Sequence, residues 1–180
     1  MLTITIPGEE FFDESKSEFV TRGDVTFDLE HSLVSLSKWE SKWEKPFLGK
    51  GERTTEETLD YVRCMVLTPD FDPDNLMRLS QKNMDEINAY IPAKMSATWF
   101  NDQNGKAQTS ETITSELIYY WMISLNIPWE CQYWHLNRLF TLIKVCGAKN
   151  APPKKMSRAE VARRQRELNQ KRRAQTGSQG

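Results

Sequence analysis

The chain is poor in the residues that usually carry chemistry. Its 180 residues include three cysteines and two histidines. Cys64, Cys131 and Cys146 are odd in number, widely spaced and without a C-x-x-C pair. That pattern excludes a disulfide scaffold and suits a reducing cytoplasm. No pairing of His31 or His135 with these cysteines has a zinc-ligand spacing, so no metal is expected. Long hydrophobic runs are also missing. The most apolar stretch, Leu117 to Trp129, is interrupted by Ser124, Asn126 and Pro128, and at thirteen residues it is short of the ~20 that span a bilayer. The opening Met-Leu-Thr-Ile-Thr-Ile-Pro has neither the basic nor the apolar region of a secretory signal.

Two short patterns fall away on inspection. Gly49-Lys50-Gly51 has neither the P-loop spacing nor a preceding strand, so no nucleotide cofactor is expected. Asp70, Asp72 and Asp74 begin like a calcium loop, but the central Gly and the twelfth-position Glu are absent and Pro69 and Pro73 bracket the run. A solvated loop and helix cap accounts for them.

What is present is a sharp division of charge. Residues 151–180 hold nine Lys or Arg against Glu160 and Glu167, a net of +7, while residues 1–150 hold fifteen basic and twenty-three acidic side chains, a net of −8. The overall net of −1 conceals this. An acidic body with a basic arm meets either another macromolecule or a neighbouring copy. No aromatic residue lies among the arm's charges to stack a base, and the acidic body repels DNA, which favours an acidic protein surface over nucleic acid as the arm's partner. The six Trp, five Tyr and eight Phe lie in the body. Each aromatic buries ~150–250 Å², which predicts a compact core of large side chains.

Periodicity predicts an α+β fold, predominantly helical: a small N-terminal β element, a central antiparallel helical hairpin and a C-terminal basic helix. Alternation over 2–6 and 25–29 predicts two paired strands across an acidic connection. Three- and four-residue steps from Leu29 to Trp43 predict an amphipathic helix over 30–44. Thr54-Thr-Glu-Glu57 has the form of a capping box opening a helix to Leu67. Asp74 and Ser80 are expected helix caps, the second for a helix to Tyr90. Ser96–Phe100 is expected as a strand turning at Asn104-Gly105. Residues 114–125 are apolar all round, which predicts a central, buried helix. A second helix is expected from Pro128, at its first position, to Cys146, with Gly147 as its stop. Pro152-Pro153 marks a linker, and Ser157-x-x-Glu160 opens a helix to Ala174 with only Val161 and Leu168 apolar. The domain organisation is therefore an acidic body, 1–150, and a basic tail, 151–180.

Cys131 and His135 fall one turn apart on the expected second helix. That is the spacing of a thiolate–imidazolium pair, but both flank an apolar stripe and no third orienting group is evident, so a core role is expected. Trp39 and Trp43, at i and i+4, either belong to the core or form an aromatic shelf for a partner. The expected partner-binding residues are Trp39 and Trp43 together with Arg163, Arg164, Arg166, Lys171, Arg172 and Arg173 of the arm. No acid, base and nucleophile are paired, so no enzyme is expected and no catalytic residue is assigned.

The stretch from Leu29 to Phe47, Thr54 to Tyr61, Thr114-Ser-Glu-Leu-Ile-Tyr-Tyr-Trp-Met, Trp134-His-Leu-Asn-Arg-Leu and Pro153-Lys-Lys-Met-Ser-Arg together resemble a group of tailed-bacteriophage proteins, the tail assembly chaperones. The resemblance spans most of 25–175. It implies a small, largely helical protein of the host cytoplasm, absent from the finished virion, that covers the tape-measure protein until tail-tube subunits polymerise around it. Self-association is compatible with it. A structural virion protein at the head–tail junction and a nucleic-acid-binding packaging or regulatory factor are the alternatives. The resemblance fixes no individual residue's role.

Overall fold

A computed structural model describes residues 1–15, 17–49, 51–100, 112–151 and 158–177. The protein is a predominantly helical α+β protein whose chain divides into two compact units, Met1–Gly147 and Ala148–Gly180. No helix among the described residues is long and apolar enough to cross a membrane.

In the first unit β1 (Leu2–Ile6) pairs antiparallel with β4 (Val25–Leu29), Ile4 opposite Phe27 and Leu2 opposite Leu29. Alternation decides the faces. Ile4, Ile6, Phe27 and Leu29 are buried, while Thr3 donates to Asp28 Oδ1 at 2.6 Å on the other side. The acidic connection between these strands itself forms a second antiparallel pair, β2 (Glu9–Asp13) and β3 (Glu18–Arg22). Its strands lack an alternating apolar face, so no period-2 signal marks them.

Helix α1 (Leu33–Trp43) begins at Ser32, whose side chain accepts from Ser35 N–H, and buries Leu33, Leu36 and Trp39. Helix α2 (Thr55–Met65) carries the predicted box: Thr54 accepts from Glu57 N–H, and Glu57 takes the Thr54 N–H at 2.9 Å. Its Tyr61, Val62 and Met65 face α1 in the core, where the rings of Tyr61 and Phe47 stack 3.8 Å apart between centroids. A 3-10 turn at Pro73–Arg78 is capped by Asp72, not Asp74, because Pro73 takes the first helical position and Asp74 supplies the N–H. Ser80 caps α3 (Gln81–Tyr90) as expected.

Three other expectations change. Ser96–Phe100 is not a strand; the Asn104-Gly105 turn lies outside the described residues, as do Pro152-Pro153 and the Ser157 cap. Helix α4 (Ser115–Ser124) is not buried all round: Ile118 and Met122 enter the core, whereas Tyr120 and Ile123 are exposed. The helix expected from Pro128 is broken. A 3-10 turn covers Trp129–Tyr133, Trp134 is extended, and α5 (Leu136–Asn150) starts only then and runs through Gly147. The break has a tertiary cause. His135 bridges to Ser32, and Leu136 N–H donates to His31 O at 2.7 Å, so residues 134 and 135 are held extended against the start of α1. Cys131 and His135 therefore do not share a helix.

The second unit contains α6 (Arg158–Thr176), which carries Val161 and Leu168 about half-exposed. Arg163 reaches Glu167 at 3.8 Å along it.

Candidate functional site, an apolar groove beside α4 and α5

Helix α4 has more large apolar side chains than its one inward stripe can bury. Its N-terminus is fixed by α1. Thr114 makes no side-chain cap bond, and the buried Glu40 carboxylate instead accepts from Ser115 N–H at 2.7 Å while its other oxygen accepts from Phe47 N–H at 2.8 Å. A carboxylate at a helix start also complements the helix dipole. With Ile118 and Met122 committed to the core, Tyr120, Trp121 and Leu125 are left along the side that looks toward α5.

The opposite wall is held by a buried polar cluster. Asn137 N–H donates to His135 Nδ1 at 3.3 Å, which leaves the proton on Nε2, and that N–H donates to Tyr90 O at 3.2 Å. Asn137 Nδ2 donates to Ile91 O at 3.1 Å and Ala93 O at 2.9 Å. These bonds tie the segment after α3 to the first turn of α5. From there Lys94 stands 3.2 Å from the centroid of the Trp99 ring and Lys144 5.7 Å from that of Phe100.

Between these walls lies a groove of about 870 Å³. Ile113, Trp121, Leu125, Phe140 and Ile143 line it, with Trp99 and Tyr120 at its edge, 83% and 63% exposed. Its polar lining is Thr98, Ser124, Asn137 and Thr141 with Lys94 and Lys144, and among the described residues no carboxylate lines it. Volume and lining both suit a bound apolar side-chain cluster.

The sequence-predicted residues lie elsewhere. Trp39 is 1% exposed and its indole N–H donates to Glu57 O at 2.8 Å, so it is a core residue and offers no shelf. Trp43 is half-buried, its indole N–H held by Asp60 Oδ2 at 2.8 Å. Both indole donors found partners inside the domain. Arg163, Arg164, Arg166, Lys171, Arg172 and Arg173 are all exposed on α6. At 100° per residue they are distributed around the helix rather than along one stripe.

His31 and His135 meet with ring centroids 5.2 Å apart, and His31 Nδ1 is hydrogen-bonded to the Tyr61 hydroxyl. Burial, reinforced by His135, pushes the His31 pKa down to about 3. Burial likewise lowers His135 and raises the Cys131 thiol, which keeps that sulfur protonated. Among the described residues no three or more His, Cys, Asp or Glu side chains come together as metal ligands. The groove residues Trp99, Phe100 and Trp121 escaped sequence reasoning; the excess of apolar residues on α4 was the signal that pointed to them. Compared with models of known protein families, with curated proteins and with solved structures, the chain matches none.

Proposed function

We propose that this protein is a non-catalytic assembly factor of a phage tail, a chaperone that shields an apolar helical stretch of the tape-measure protein in the groove between α4 and α5. The observation that carries this is an open, largely apolar groove with the exposed rings of Trp99 and Tyr120 at its edge. A helix laid in such a groove inserts side chains at i, i+3, i+4 and i+7. The two lysines at the rim favour a segment with Asp or Glu beside its apolar face, since charge complementarity sets orientation and rejects wrong partners. The same lysines disfavour occupation by a basic helix. The exposed cations of α6, Arg163, Arg166 and Lys171 among them, add attraction for acidic surface on the partner, in keeping with the resemblance of residues 25–175 to tail assembly chaperones.

Co-expression with the tape-measure protein of the same phage tests this. The wild type should keep the partner soluble and co-purify with it. The double variant Trp99→Glu with Tyr120→Glu alters exposed residues and should fold normally, yet retain at least about tenfold less partner, as expected for the loss of aromatic anchors. Undiminished retention would remove the groove from the account.

A further inference from the structure

We propose that the outward face of the β2–β3 hairpin is a docking surface for the α6 helix of a second molecule of this protein. The register places Glu10, Phe12, Phe19 and Thr21 on one face of the hairpin. Glu9 belongs to the other face, where Arg78 Nε holds it at 2.9 Å, and this turns that face toward the domain. The Phe12 and Phe19 rings therefore point away from the core. They pack edge-on with centroids 5.2 Å apart and are 49% and 71% exposed. Exposed Glu10 shares their face, and exposed Glu14 follows Phe12 in the turn. An aromatic pair with acidic neighbours, on a two-stranded unit that is marginal by itself, is an unpartnered sheet face.

The occupant follows from charge and spacing. It needs a narrow apolar line flanked by cations, and α6 has this form. Val161 and Leu168 are seven residues apart, so they stand on one side of the helix two turns from each other. Arg164 and Lys171 each follow by three positions and border the same side. The segment that contains α6 carries +7 against −8 for the rest of the chain. Two acidic hairpins repel each other, as do two basic helices, so only the hairpin–helix combination is favoured. The contact joins two different surfaces and each molecule offers both. It is therefore heterologous, and successive contacts either close a ring or extend a chain. Two apolar residues per side make a contact below the ~1,200 Å² of a standard stable interface, so each link is weak and salt-sensitive.

Sedimentation velocity on the full chain tests the proposal. At about 50 mM salt the wild type should show mass-average size rising with concentration, and about 500 mM salt should weaken that association at least about tenfold. Phe12→Thr with Phe19→Thr keeps strand propensity, and Val161→Ala with Leu168→Ala keeps helix propensity. Each double variant alone should stay monomeric, and an equimolar mixture of the two should form one-to-one pairs that grow no further, because one supplies the helix and the other the hairpin. A wild type that stays monomeric at every concentration overturns the proposal, as does association that survives in either variant. Binding of a short DNA duplex by a wild type that stays monomeric assigns α6 to nucleic acid and also overturns it. The groove takes no part, so Trp99→Glu with Tyr120→Glu should leave sedimentation unchanged, and failure of one account leaves the other standing.

Discussion

At the scale of single residues, the two histidines are the most consequential. Far apart in sequence and unremarkable there, they meet between the start of α1 and the start of α5, each ring engaged by neighbours. His31 titrates at about 3 in the folded protein against ~6.5 unfolded, and His135 is shifted the same way. The folded state therefore binds fewer protons than the unfolded state between these values. The stabilising contribution is complete above the unfolded pKa and is lost as pH falls toward the folded one, by up to about 1.4 kcal/mol per pH unit for each fully shifted histidine. Urea-denaturation midpoints should fall between about pH 7.5 and about pH 5. A midpoint that is flat or rises on acidification would show that the pair is not held neutral. The tryptophans teach a related lesson about legibility. An i,i+4 pair of indoles has the same pattern whether it faces partner or core. What separates the two is the destination of each Nε1–H, Glu57 O for Trp39 and Asp60 Oδ2 for Trp43, and both partners come from another helix.

At the scale of elements, local rules served well where the cause is local. The boxes at Thr54 and Ser80 start their helices where the sequence places them, because a hydroxyl two or three residues ahead of a free N–H needs nothing from the rest of the fold. Helix α6 was legible because its Ala, Arg, Gln, Glu and Lys residues favour a helix without help from the rest of the fold. The failures are tertiary. Pro128 to Cys146 is sound helical sequence, but the bond from Leu136 N–H to His31 O claims the backbone at 135 and splits the segment. Helix α4 has no side-chain cap bond of its own and depends on Glu40, 75 positions before Ser115, which no local rule reveals. Replacing Glu40 with Ala strands the N–H groups of Phe47 and Ser115 inside the domain. It should cost ~2–4 kcal/mol, read as a lower urea midpoint, with Gln losing less because its oxygen still accepts one bond. Equal stability of Glu40→Ala and the wild type would mean that α4 is positioned by packing alone.

For the molecule as a whole, composition foretold a body and an arm of opposite charge, and the exposed basic helix of the second unit is in keeping with it. The groove was not foretold. Its walls come from three stretches, 94–100, 113–125 and 137–147, and no period within any one of them reveals that Trp99, Trp121 and Phe140 line a common space. Only the excess of apolar residues on α4 hints at it, and by itself an all-round apolar helix has the pattern of an interior one. An unburied apolar face on a domain of this size needs a cover, and in this account the cover is a partner's helix. Hydrogen–deuterium exchange on the full chain, alone and with the tape-measure protein, tests that claim most directly. The account predicts slowed exchange in 94–100, 115–125 and 137–147 upon mixing, with α2 unchanged; slowing confined to the β2–β3 hairpin and α6, with the groove segments unaltered, would contradict it.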